Sequence, residues 1–189
     1  MQTLTKIDAA RRQLLTAIRL FFAEGDAVSV LSLAANAWEI VDALCGLAGI
    51  ESLSLQTEGN LREEQRLKRD YINEPYRNFF KHADRDPDAS IEFNERDAEA
   101  VMMLAVEDYL RLQGAAPIEF QVYQAWYLAR HPHAIAADRA DDISGRLADV
   151  FPDFENLDDN AQIAMGRRML SRALTNPELA VACGTERSI

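Results

Sequence analysis

The stretch TKIDAARRQLLTAIRLFF, residues 5–22, decides the fold class. Ile7, Leu14, Leu15, Ile18, Phe21 and Phe22 recur at spacings that stack on one face of a helix, and Thr5 with Asp8 makes a capping box at its start. Glu24-Gly25-Asp26 stops that helix. Val28, Leu31, Ala35, Trp38, Val41 and Cys45 then repeat by threes and fours up to the breakers Gly46 and Gly49. The pattern predicts helices over 5–22 and 27–47.

Working outward, residues 51–60 read as a polar loop. Leu61 to His82 reads as a helix kinked or split at Glu74-Pro75, because proline removes a helical N–H and restricts the residue before it. Asn94 is a good N-cap with Asp97 at the third helical position, and Ala98, Val101, Met102, Ala105, Tyr109 and Leu112 carry a helix over 95–113. Three further helices are expected near 118–130, 138–150 and 158–175, each ended by a proline step, with a tail after about 177. Nothing reads firmly as a strand. The natural cut is Gly114-Ala115-Ala116-Pro117.

Composition agrees with a globular chain. Of 189 residues, 48% are hydrophobic and 27% charged, with 8 Gly and 6 Pro, which excludes collagen-like and disordered classes. Lys and Arg total 20 against 31 Asp and Glu, giving a net charge of −11 that argues against non-specific coating of nucleic acid. Cys45 and Cys183 form no disulfide framework, and Met1-Gln2-Thr3-Leu4-Thr5-Lys6 lacks the apolar core of a signal peptide, so a reducing cytoplasm is expected. Glu39, Asp42, Glu107 and Asp108 interrupt the longest apolar runs, so no membrane span is expected.

One short motif carries chemistry. Arg77-Asn78-Phe79-Phe80-Lys81-His82 reads R-N-x-x-x-H, late in the third helical segment and followed by another amphipathic helix. Metal-free RNA cleavage requires a group that titrates near neutrality to move the 2′-hydroxyl proton, and a permanent cation to hold the phosphate as charge builds. His82 and Arg77 are those two types, and arginine's planar fork suits phosphate better than a lysine such as Lys81.

The motif and its placement resemble the HEPN superfamily, over roughly residues 5–113. The resemblance implies a four- to five-helix bundle over 1–113; residues 114–189 lie outside it and, from their own helical pattern, are expected as a helical extension packed on or beside it, so the whole chain is expected to be all-α. It implies a metal-independent endoribonuclease, without cofactor or metal, acting as a homodimer on RNA to leave a 2′,3′-cyclic phosphate. A role in stress or phage defence and an antitoxin or other protein partner would follow by the same analogy. In this reading Arg77 is the phosphate clamp, His82 the general base or acid, and Asn78 orients His82 or the phosphate.

Geometry sets a condition on that reading. On a regular helix five residues place Arg77 and His82 about 140° apart. The two converge where the helix ends or distorts at His82, or where a second chain supplies half of the site. Between Arg62 and Arg85 seven cations face five acids, a +2 stripe inside the −11 chain. A ribonuclease requires Arg77 and His82 within reach of solvent and of each other. The competing class, a non-catalytic all-α dimerisation or partner-binding module, buries one of them in a salt bridge.

Other features have rival readings. Asp84 to Glu95 matches a calcium loop at each ligand position but carries Ala89 where the turn requires glycine. Its other reading is an acidic inter-helix loop. Asn36, Glu39 and Asp42, three residues apart, form either a solvated stripe or a set facing Arg77, where a carboxylate would pair with the guanidinium or orient His82. His131 and His133 flank a turn. Trp38, Trp126, Tyr123 and Tyr127 sit at apolar helical positions and read as core.

Overall fold

The computed structural model describes residues 3–82 and 84–186. Met1 and Gln2 of the leader reading and the last three residues of the expected tail lie outside that range. Among the described residues the chain is mostly helical, with a single pair of two-residue strands, so it is all-α. It divides into two compact units, one holding the chain up to Ala17 and Asp26–Gly114, the other Ile18–Gly25 and the chain from Ala115.

The first unit begins with α1 (Lys6–Phe22), whose last turn belongs to the second. The capping box forms as expected: Thr5 N–H donates to Asp8 Oδ2 at 3.0 Å and Asp8 N–H to Thr5 Oγ1 at 3.2 Å. Asp26 caps α2 (Ala27–Ala48) by accepting from Ser29 N–H at 2.7 Å. Gly49 ends it in the left-handed conformation, φ 66°, which glycine adopts without steric cost. By length and composition α2 is apolar enough to cross a membrane, despite Glu39 and Asp42. Here Val30, Leu31, Ala34, Trp38 and Val41 are buried, and α2 packs along α5 (Asp97–Gln113), which contributes Val101, Met102, Ala105 and Tyr109 to the core.

The segment expected as a loop over 51–60 contains a short helix, α3 (Leu53–Gly59). Ser52 caps it locally, through Leu55 N–H at 2.9 Å. Its first two N–H groups, from Leu53 and Ser54, are taken by the Asp108 carboxylate of α5 at 2.7 and 3.3 Å, a partner more than fifty residues away.

The expected kinked helix over 61–82 is also corrected. Residues 61–66 turn, and Leu67–Arg77 forms a π-helix that contains Pro75 and passes into α4 (Asn78–Lys81). Glu58 Oε2 accepts from Leu67 N–H at 2.6 Å, which anchors the start of the π segment. Pro75 has no N–H to complete a regular α-turn, and the widened register carries the chain past it with Asn78 N–H bonding Asn73 O. α5 starts two residues later than expected. Asn94 Oδ1 accepts from Arg96 N–H, and its amide donates to Asp97 Oδ1 at 2.8 Å, while the Tyr76 hydroxyl donates to Asp97 Oδ2 at 2.6 Å.

The second unit contains α6 (Ile118–Arg130), α7 (Ala140–Val150), α8 (Asp159–Leu174) and α9 (Pro177–Ala180). The expected tail folds back: β1 (Ala116–Pro117) pairs in parallel with β2 (Thr185–Glu186). Gln121 Nε2 links them, donating to Ala116 O at 2.9 Å and Thr185 Oγ1 at 3.1 Å. The core is aromatic, with Phe22 edge-on to Trp126 at 5.7 Å and Trp126 donating from Nε1 to Gln162 O at 2.9 Å.

Gly166 of α8 lets those rings in. A Cβ there would overlap the Phe22 ring and lie 2.7 Å from Trp126 Cδ1. Gly166→Ala is expected to cost about 2 kcal/mol through overpacking, and so to lower the melting temperature by about 4–8 °C in thermal denaturation. An unchanged melting temperature would show that the rings can yield.

Candidate functional site

The site is built on α2 and the π segment. Asn36 and Glu39 lie one helical turn apart on α2 and meet Arg77, the last residue of the π segment. Arg77 Nη1 pairs with Glu39 Oε2, Nη2 donates to Asn36 Oδ1 at 2.9 Å, and Nη1 also reaches Asn73 Oδ1 at 3.3 Å. Nε is buried with no acceptor among the described residues. The Arg77 side chain is 15% exposed. Glu39 takes a second cation, Lys68 Nζ, at 2.6 Å. Burial opposes the Glu39 charge, but the bonds from Lys68 and Arg77 outweigh it and hold the carboxyl below its ordinary value.

His82 stands apart from this network. It ends α4 with φ −121° and ψ 53°, outside helical geometry, and its N–H bonds Asn78 O at 3.1 Å. Its imidazole is half-buried and has no hydrogen-bond or ion-pair partner among the described residues. The structure therefore brings Arg77 together with Asn36 and Glu39, two of the three stripe residues, and joins neither His82 nor Asn78 to that network.

Asn78 instead lines a cavity of about 580 Å³ in the first unit. The lining combines apolar Trp38, Ile50, Leu55 and Leu67 with polar Asp42 and Asn73, and it includes the basic residues Arg66, Lys68 and Arg69. Those cations are held internally. Arg66 Nη1 donates to the carbonyls of Glu63 and Gln65 at 2.7 and 2.6 Å, Lys68 is on Glu39, and Arg69 Nε is 2.6 Å from Asp70 Oδ1. Asp42, third member of the stripe, is half-buried and makes no hydrogen bond or ion pair among the described residues. Burial first, and then the neighbouring Asp108, push its carboxyl above the ordinary value.

One buried network had no place in the sequence reading. Asp108, fully buried, accepts from Ser54 Oγ at 2.5 Å as well as from the backbone of α3, and Ser54 Oγ accepts from Trp38 Nε1 at 2.7 Å. Burial raises the Asp108 carboxyl above its ordinary value against the pull of these bonds. Cys45 Sγ donates to Asp108 O at 3.6 Å, and its thiol is pushed up to about 11 by burial and the two nearby aspartates, which keeps it protonated and unreactive. The available signal was an acid at the apolar spacing of α5, seven and three residues on from Val101 and Ala105.

The calcium-loop residues do not gather. Among the described residues no three His, Cys, Asp or Glu side chains come together as a metal site. Comparison of the chain with protein-family models, curated proteins and solved structures finds no match.

Asp108→Ala leaves two backbone donors and the Ser54 hydroxyl without their acceptor. The expected loss is about 3 kcal/mol, a fall of about 6–12 °C in melting temperature, with a change in Trp38 fluorescence as its indole loses its ordered partner. Wild-type stability in this variant would mean that water serves α3 equally well.

Proposed function

We propose that this chain is a non-catalytic helical binding module, with its ligand site at the cavity beside the π segment. The observation that carries this reading is the state of Arg77. A phosphate clamp must present an open guanidinium edge toward solvent. Here both terminal nitrogens are engaged, the strongest bond is to a carboxylate, and Nε is buried. A phosphate approaching Arg77 would have to displace Glu39 and meet its negative charge. The cations of the basic stripe that line the cavity are likewise tied to carboxylates or carbonyls.

A second reading retains the HEPN-like bundle and the ribonuclease, with two copies of the motif facing each other across a homodimer. What favours it is His82: the helix ends there, which meets one of the two conditions for convergence with Arg77, and the imidazole has no internal partner among the described residues. On this reading RNA would displace the Glu39 bond on binding.

The two separate in one assay. Purified protein, Arg77→Ala and His82→Ala are incubated with mixed-sequence RNA in EDTA. The binding module predicts no cleavage above buffer by any of the three. Cleavage by the parent chain that is lost in both folded variants would replace this reading with the ribonuclease.

A further inference from the structure

Asp42 is anomalous in its surroundings. Each cation of the cavity lining is matched to a carboxylate or a backbone carbonyl, whereas Asp42 faces the same cavity with no bond among the described residues. The charged groups acting on it are Asp108 of α5, Glu58 of α3, Glu39 of α2 itself and Lys68 of the π segment, so three acids and one cation set its field. That one cation is already bonded to Glu39 at 2.6 Å. A half-buried carboxylate in such a field lacks a positive counterpart, and the apolar lining from Trp38, Ile50, Leu55 and Leu67 suits a hydrocarbon body.

Resting on the binding-module reading, we propose that the cavity binds an organic amine, with the ammonium paired to Asp42 and the apolar body against Trp38 and Leu67. The volume of about 580 Å³ accommodates a small molecule of this kind. An anionic ligand is disfavoured by Asp42 itself, and a neutral one leaves the carboxylate without a partner.

The probes are tryptamine and octylamine, compared by calorimetry with their neutral counterparts indole-3-ethanol and octanol and with indole-3-acetate, on the full chain at pH 7. Amines are expected to bind about 10-fold or more tighter than the neutral compounds, with the acetate weakest. Asp42→Asn, which removes an unpaired charge and so keeps or raises the melting temperature, abolishes the preference for amines. Gly46→Phe supplies a second variant. Gly46 lines the cavity with open space about its Cβ position, so the ring blocks amines and neutral compounds alike without changing charge. Because Asp42 titrates above an ordinary aspartate, amine affinity falls on acidification at a higher pH than an ordinary aspartate would give.

Equal binding of tryptamine and indole-3-ethanol, unaffected by Asp42→Asn, would overturn the amine assignment and leave the cavity as a binding site. Binding of no amine by the parent chain would overturn the proposal altogether. The RNA assay reports separately on the binding-module reading.

Discussion

A single carboxylate on α2 ties down the wall of the candidate site. Glu39 bonds Lys68 near the start of the π segment and Arg77 at its end, so one acid spans the length of that irregular element. Asn36, one turn earlier, takes the other edge of the guanidinium. A π-helix has poorer internal geometry than an α-helix and persists where the surroundings define it. Here the definition comes from Glu39 and Asn36 at the side, Glu58 at the start, and the apolar contacts of Leu67, Ile72 and Tyr76, all buried.

The same arrangement governs the chemistry available. An arginine with both terminal nitrogens bonded to the fold acts as a cross-link, and its charge is largely cancelled by its partner. The acids that line the adjoining cavity are Asp42, Glu58 and Glu74. Asp108 works differently: it is buried like a core residue, bonded like a helix cap, and ties α3 and the Trp38 indole to α5. Between them, Glu39 and Asp108 tie the irregular π segment to α2 and the short α3 to α5.

What the sequence made legible was local. The reciprocal pair Thr5 and Asp8, the left-handed glycines Gly49 and Gly114, and the proline step after α6 each act within a few residues, and each sets a helix boundary where spacing places it. α3 escaped because half of its capping comes from a residue on another helix. Pro75 announced an interruption but could not say that a π register would absorb it, since that depends on Glu39 and Glu58. Gln121, which bonds both strands of the β1–β2 pair, gave no periodic signal of the fold-back. The candidate site was legible as a set of residues. The stripe Asn36, Glu39, Asp42 and the motif residue Arg77 are all visible in the sequence, yet spacing alone favours a solvated stripe over the partnered one that Asn36 and Glu39 form. Which applies depends on where the π segment lies, and that is a tertiary fact.

Whether the Arg77 charge is structural is measured directly by a double-mutant cycle. Stability of the parent chain, Glu39→Gln, Arg77→Ala and the double variant would be compared by urea unfolding. A coupling of about 1–2 kcal/mol between the two positions is the predicted result, as for a partly buried, hydrogen-bonded ion pair. A coupling within about 0.3 kcal/mol of zero would contradict the account, because Arg77 would then be free of Glu39 in solution and open to a phosphate.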